Sequence, residues 1–282
     1  ILAPLLIAGW GPGPALGVLG AGLASSISIT IGVVLLTLYF FKLEKYVSFE
    51  PALWRPRFDI WRKMLDIGLP AGGEMLLLFV YFSAVYWLIQ DFGAPAQAGF
   101  SIGGRIMQSI FMPTMAIAFA VGPIIGQNFG AGKVDRVRET FKSGIILSSI
   151  VMFIITVIMQ WRPEVLMMIF TDDAEVMEVG VVFLQLISLN FIAQGIVFTC
   201  SGVFQGLGNT RPALLSSGVR ILIFVPVTVY LRYQPDFSIN MVWYVSILSV
   251  TAQAIVSFLL VRREFMRKLK MSDDSQYLVD NP

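Results

Sequence analysis

The chain has 282 residues, 56% hydrophobic and 13% charged, with a net charge of +2, one cysteine, no histidine and a mean hydropathy of +0.77. So little charge excludes an ordinary soluble domain, and bases dispersed among loops argue against nucleic-acid binding. Without histidine there are no zinc sites of the usual kind, no Ser-His-Asp or Cys-His triads and no imidazole relay, and Cys200 on its own forms no intrachain disulfide.

The apolar residues gather in unbroken blocks near the ~20 residues that cross a bilayer core. They lack the period-two alternation of barrel strands, and a bilayer admits only helices and closed barrels, so the fold class is all-α, a polytopic helical membrane protein. In chain order the blocks predict a partial helix at 1–9 and helices near 17–41, 66–88, 97–127, 143–161, 176–204, 213–231 and 241–261. The opening ILAPLLIAGWG has neither a basic flank nor a small-residue cleavage site, so it is no signal peptide and reads as the stump of a longer chain. Pro113 and Gly122-Pro123 offer bends in the long 97–127 segment. Asp172 and Glu175 read as a capping pair for the following helix rather than a metal site.

Bases orient these spans. Sixteen of the twenty lie in alternate loops: six in 42–63, four in 128–142, Arg211 in 206–212 and five in the tail. The positive-inside rule assigns those loops, with the C-terminus, to the cytoplasm. A faint internal repeat aligns Pro14 with Pro235, Ser25 with Ser246, Ser28 with Ser249 and Lys42 with Arg263, as expected of parallel repeats in a transporter.

Within the 128–142 loop, GQNFGAGKVDRVRETF raises the question of phosphate binding. A P-loop requires G-x-x-x-x-G-K-[ST] between strand and helix, but Gly132-Lys133 is followed by Val134, Gln127 stands at the first glycine, and a membrane span precedes. The glycines read instead as a helix end at the interface, with Lys133, Arg136 and Arg138 among water and headgroups. This stretch resembles the G-Q-N-x-G-A-G segment of the multidrug and toxic compound extrusion (MATE) transporters. Three further stretches match in order: PLLIAGWGPGPALGVLGAGLASSIS at 4–28, DIGLPAGGEMLL at 66–77 and SGVFQGLGNTRPAL at 201–214. The resemblance implies two six-helix lobes around a central cavity. It divides this chain into the last two helices of the first lobe at 1–45, a basic linker at 46–65, a complete second lobe at 66–262 and a cytoplasmic tail at 263–282.

Glu74 is the carboxylate well inside an apolar span, where an ionisable side chain is costly unless it faces the bundle interior, a partner or water. It either binds a proton or sodium ion, pairs with a cationic substrate, or is a structural carboxylate held by a neighbouring helix. MATE relatives commonly place a coupling carboxylate in this helix, in several about two turns after the Leu-Pro pair, where Leu78 stands here. Some also carry an aspartate at the place of Gln194, which can coordinate but takes up no proton. Arg105 is the second intramembrane charge. From spans about 12 Å deep at each, its depth lets it pair with Glu74, or it snorkels to the outer headgroups. Asn190, with Gln108, Gln205, Gln253, Tyr81, Tyr86 and Trp87, either lines a cavity for organic cations or serves as interhelical glue and interfacial belt. Glycines spaced by four, at 68/72, 99/103, 122/126 and 202/206, point to close helix packing.

These readings predict no enzyme, but a secondary antiporter of the inner membrane that exports organic cations or drug-like amphiphiles in exchange for protons or sodium ions. No cofactor is expected and no firm metal site beyond sodium at Glu74. Its partners are the bilayer and its own first lobe, the whole acting as a monomer. The alternatives are a related lipid-linked precursor flippase, expected to carry more intramembrane bases than Arg105, and a structural membrane protein without transport.

Overall fold

The structure, a computed structural model, describes residues 2–9, 15–43 and 56–280, with side chains through Lys268. Residues 10–14 of the first motif, residues 44–55 with Lys45, Arg55 and half of the expected linker, and residues 281–282 lie outside the described residues. The chain divides into two compact units, Ile1–Phe58 and Asp59–Pro282. In the first, the short helix α1 (Leu2–Ile7) packs beside α2 (Gly17–Leu43). Leu16 N donates to Leu6 O at 3.0 Å, and Gly20 lies against the Leu6 carbonyl where no Cβ would fit.

The second unit contains α3 (Phe58–Ile89, its first residue belonging to the first unit), a 3-10 turn at Gln90–Phe92, α4 (Gly93–Gly130), α5 (Val134–Trp161), the single turn α6 (Glu164–Met167), α7 (Ala174–Ser188), α8 (Phe191–Gly206), α9 (Arg211–Arg232) and α10 (Ile239–Asp280). Among the described residues, the stretches long and apolar enough to cross a membrane are Gly17–Lys42, Phe58–Gly130, Val134–Trp161, Arg211–Arg232, Ile239–Lys268 and, as one bent span, Ala174–Ser188 with Phe191–Gly206. At 73 residues Phe58–Gly130 amounts to about 110 Å of helix, far more than a ~30 Å core. The chain reverses within it at Gly93, whose φ of 85° is open to glycine, so that Phe82 and Tyr86 both meet the ring of Phe100.

Several element bounds differ from the sequence expectation, the largest difference being at α10, which continues as helix to Asp280 where the apolar block ends near 261. Helix α3 begins at Phe58 and α5 at Val134, eight and nine residues earlier than the apolar blocks, because FDIWRKML and VDRVRETF are amphipathic helix formers. In α5 this turns Val134 and Val137 into the core while Asp135 and Arg138 stay exposed. The expected continuous helix at 176–204 is broken at 189–190, with a bend of 58° between α7 and α8. Side chains from α5 serve the backbone there: Gln160 Nε2 donates to Gln185 O at 2.7 Å, and the Thr156 hydroxyl is shared between Ser188 O at 3.0 Å and Met152 O of its own helix at 2.8 Å. The break therefore survives in an apolar layer with neither glycine nor proline at the joint. The cap of α7 is Asp173, whose Oδ1 accepts from Glu175 N and Val176 N; the expected Asp172–Glu175 capping pair does not form.

Helices α4 and α8 meet backbone to backbone. A Cβ at Gly122 would lie 3.2 Å from Gly202 O, one at Gly126 3.2 Å from Gly206 O, and one at Gly202 2.5 Å from Ala118 O. Gly99 and Gly103 likewise receive α7, through Gly180 and the ring of Phe183. Gly68 and Gly72 face open space in this unit. Above the seam, Phe100 stacks on Trp243 at 5.6 Å and meets Phe183 edge-on at 5.2 Å, joining α4, α7 and α10. The turns at 131–133 and 207–210 share one end of the unit with the start of α3 and residues 264–268 of α10, here called the basic end. At the opposite end Arg232 Nη2 donates to Asp91 Oδ2 at 2.7 Å and lies over the Trp87 ring.

Replacing Gly202 with valine is expected to force α4 and α8 apart and to cost about 1–3 kcal/mol, since the obstacle is backbone. Gly218→Ala, where the new Cβ meets nothing within 4 Å, is expected to preserve stability or raise it. Thermal unfolding of the two variants in detergent checks the contrast.

Candidate functional site

Glu74 lies four residues past Pro70 in α3, on a face turned toward α8, α9 and α10. Its carboxylate is half-buried, and Oε2 accepts a hydrogen bond from Ser201 Oγ at 2.8 Å. The cavity in front of it has a volume of about 40 Å³. Room of that kind holds a few waters or a partly hydrated ion, whereas drug-sized ligands occupy about 300 Å³ or more. Gln194 of α8 lines the same cavity, so the structure brings together two residues that lie 120 positions apart in the chain.

The cavity's third charged or amide group, counting Glu74 and Gln194 first, is one that sequence reasoning missed. Arg220 of α9 lines the cavity, its guanidinium carbon 3.8 Å from the centroid of the Tyr81 ring. Its Nε is buried with no hydrogen-bond partner. Glu74 and Arg220 form no ion pair within 4.0 Å; each is held by a different neighbour, Ser201 and Tyr81. Tyr81 is itself fixed by a 2.7 Å hydrogen bond between Oη and Ser246 Oγ of α10 and by the Phe224 ring at 4.7 Å. Gln253 of α10 completes the wall, donating from Nε2 to Ser217 Oγ at 3.1 Å, with Oε1 buried and unpartnered. The signal for Arg220 was present in the sequence, since it stands in the middle of an apolar block just as Glu74 does. Arg105 is therefore not the sole base within a span.

Nor does Arg105 pair with Glu74. It is exposed, and five residues from Phe100 it points roughly 140° around α4 from the ring that faces α3. Depth separates them as well. Gly202, next to the serine that binds Glu74, packs on Ala118, thirteen residues (105 to 118) or about 20 Å along α4 from Arg105. Asn190 is 3% exposed and sits at the α7–α8 break outside this cavity, its Oδ1 without a partner. Trp87 is engaged by Arg232, while Gln108 and Gln205 are exposed. Among the described residues no group of three or more Cys, Asp or Glu side chains is placed to hold a metal ion.

Apolar spanning stretches, a broken helix with served backbone and a small charged cavity inside the bundle define a multi-pass helical membrane protein. Residues 70–230, more than half of the chain, match the MatE family model, and the chain belongs to that family. Members of the family are transporters and not enzymes. The chain is 29% identical over 211 residues to the probable multidrug resistance protein NorM of Thermotoga maritima, covering 74% of this chain and 45% of that protein. It is 30% identical over 222 residues to the NorM protein of Deinococcus radiodurans, with 77% and 48% covered. With the multidrug export protein MepA of Staphylococcus aureus it shares 28% over 228 residues, 80% of this chain and 49% of MepA. The chain thus spans about half the length of the curated relatives it matches. Among solved structures it superposes on the outward-facing conformation of a multidrug resistance MATE family transporter of the MOP superfamily. The TM-score is 0.85 at 19% identity, with 95% of this chain and 59% of that one covered. A MOP superfamily transporter from Pyrococcus furiosus gives 0.84 at 20% identity, with 95% and 60% covered. These likenesses extend to the fold.

Tyr81→Phe is expected to destabilise the unit by about 1 kcal/mol, because Ser246 Oγ loses its buried partner. A double-mutant cycle with Ser246→Ala, read by thermal unfolding, should return a coupling of about 0.5–1.5 kcal/mol.

Proposed function

We propose that the protein to which this chain belongs is a cation-coupled antiporter of the inner membrane that exports organic cations or drug-like amphiphiles, and that Glu74 carries the coupling ion. The observation that supports this reading most is the Glu74 carboxylate, within an apolar span, facing a cavity of about 40 Å³ shared with Gln194. A carboxylate there binds a proton covalently or a sodium ion with the Gln194 amide oxygen and the Ser201 hydroxyl as neutral ligands. Arg220 gives an ionised Glu74 a counter-charge within the same cavity when no cation is bound. The large substrate does not fit this cavity, so it occupies a surface that this unit shares with the rest of the protein. In this reading the chain supplies the end of a first lobe, at 1–45, and a second lobe, at 66–262, with linker and C-terminus in the cytoplasm. The relatives' greater length supports the remainder of a first lobe, and the complete protein works as a monomer.

Arg220 also favours one alternative, a flippase for an anionic lipid-linked precursor, because that activity calls for bases facing the cavity. A single guanidinium already occupied by Tyr81 favours the cation antiporter.

The test reconstitutes the complete protein in proteoliposomes and follows efflux of a fluorescent organic cation under an imposed proton or sodium gradient. Glu74→Gln is expected to reduce gradient-driven efflux on the order of tenfold or more while thermal unfolding in detergent stays near that of the parent. Efflux that persists in Glu74→Gln rejects the coupling role, and folded protein that moves no cation under either gradient rejects the antiporter.

A further inference from the structure

A second, polar cavity of the second unit takes no part in the proposed transport. It lies at the basic end between the first turns of α3, the turn joining α8 to α9, and α10, with a volume of about 460 Å³. Four bases line it, Arg211, Arg263, Arg267 and Lys268, against two acids, Asp66 and Glu264. Glu264 is already committed: it accepts from Asn209 Nδ2 at 3.0 Å and lies 3.5 Å from Lys268 Nζ, which in turn donates to Leu207 O. Asp66 sits 3.9 Å from Arg211. Arg263 and Arg267 are both exposed and have no acidic partner among the described residues. The cavity therefore presents an excess of two positive charges.

Its walls are built rather than incidental. The bonds from Asn209 and Lys268 tie the α8–α9 turn to α10, and Thr210 Oγ1 donates to Ile67 O, tying that turn to α3. Because the Thr210 hydroxyl is spent there, the first turn of α9 has no side-chain cap, and its positive end opens on the cavity at Arg211 and Pro212. The other side is apolar. Ile67, Leu215 and Leu260 line it, and Leu215 is 62% exposed on the outer surface of a membrane-spanning helix. A basic pocket with one apolar wall, at the end of spanning helices, matches a molecule with a phosphate on a hydrocarbon tail.

We propose that this cavity binds the headgroup of an anionic phospholipid, with the phosphate between Arg263 and Arg267 and the acyl chains leaving along Leu215. The same arginines would take free phosphate, but at this depth the lipid is present at far higher local concentration and only the lipid uses the apolar wall.

Native mass spectrometry of the complete protein in detergent, with phosphatidylglycerol and phosphatidylcholine added in equal amounts, tests the site. Wild-type protein is expected to retain phosphatidylglycerol preferentially. In the Arg263→Gln/Arg267→Gln double variant its retention is expected to fall on the order of tenfold, to the level of phosphatidylcholine. Arg263→Lys/Arg267→Lys, which keeps both charges, is expected to keep the preference. Equal retention of the two lipids by wild-type protein overturns the proposal without any variant. A preference that survives in a folded double-glutamine variant places the site elsewhere and also overturns it. Inorganic phosphate that displaces the bound phosphatidylglycerol at millimolar concentration shows a free-anion site, and the lipid assignment fails.

Discussion

The seam between α4 and α8 is the constraint on which the second unit depends. At Gly122, Gly126, Gly202 and Gly206 two backbones approach so closely that a methyl group would meet a carbonyl oxygen. Lipid tails are as apolar as leucine, so helix pairing inside a membrane gains little from hiding hydrocarbon; contact area between closely fitted surfaces has to supply it. Once α4 and α8 are locked, Ser201 and Gln194, seven residues apart, acquire fixed positions on one face of α8. The cavity before Glu74 is then defined by where α9 and α10 can lie.

That arrangement also accounts for how charge is tolerated. Glu74 and Arg220 share one small volume without touching, each given a local interaction of its own, a hydroxyl for the acid and an aromatic face for the base. An ion pair made outright would satisfy both and leave nothing to bind a third charge. Keeping them apart leaves the carboxylate with capacity for a cation and leaves the guanidinium close enough to offset its charge.

Much of this was legible in the sequence, for a physical reason: a bilayer demands long apolar blocks, and four ordered motifs carried the family. Glu74 stood out because a carboxylate among Leu, Met and Phe has few innocent explanations, and by the same rule Arg220 was there to be read. The pairing of Glu74 with Arg105, one of two alternatives the sequence left open, does not form, because Arg105 lies about 20 Å along α4 from the level of Glu74 and also faces away from α3. The α7–α8 break was not legible. Residues 187–191, ISLNF, hold no helix breaker, and the joint exists because Thr156 and Gln160, some thirty positions earlier, supply the hydrogen bonds its carbonyls need. Such tertiary support leaves no local mark.

Helix α3 is attached in a different manner from its neighbours. Among the described residues of the second unit no helix shares an extended backbone approach with it, and Gly68 and Gly72 face open space there. Toward the basic end its links are discrete, Asp66 to Arg211, the Ile67 carbonyl to Thr210 and Glu74 to Ser201, whereas toward the other end Tyr81, Val85, Leu88 and Ile89 are buried in the core. A close-packed seam resists sliding at every residue, whereas a row of separate polar fasteners can be released one at a time and refastened in a new register. Glu74 is thus mounted where α3 passes from separate polar fasteners to a packed core, so that a change at its carboxylate acts on the end of the helix that is free to shift.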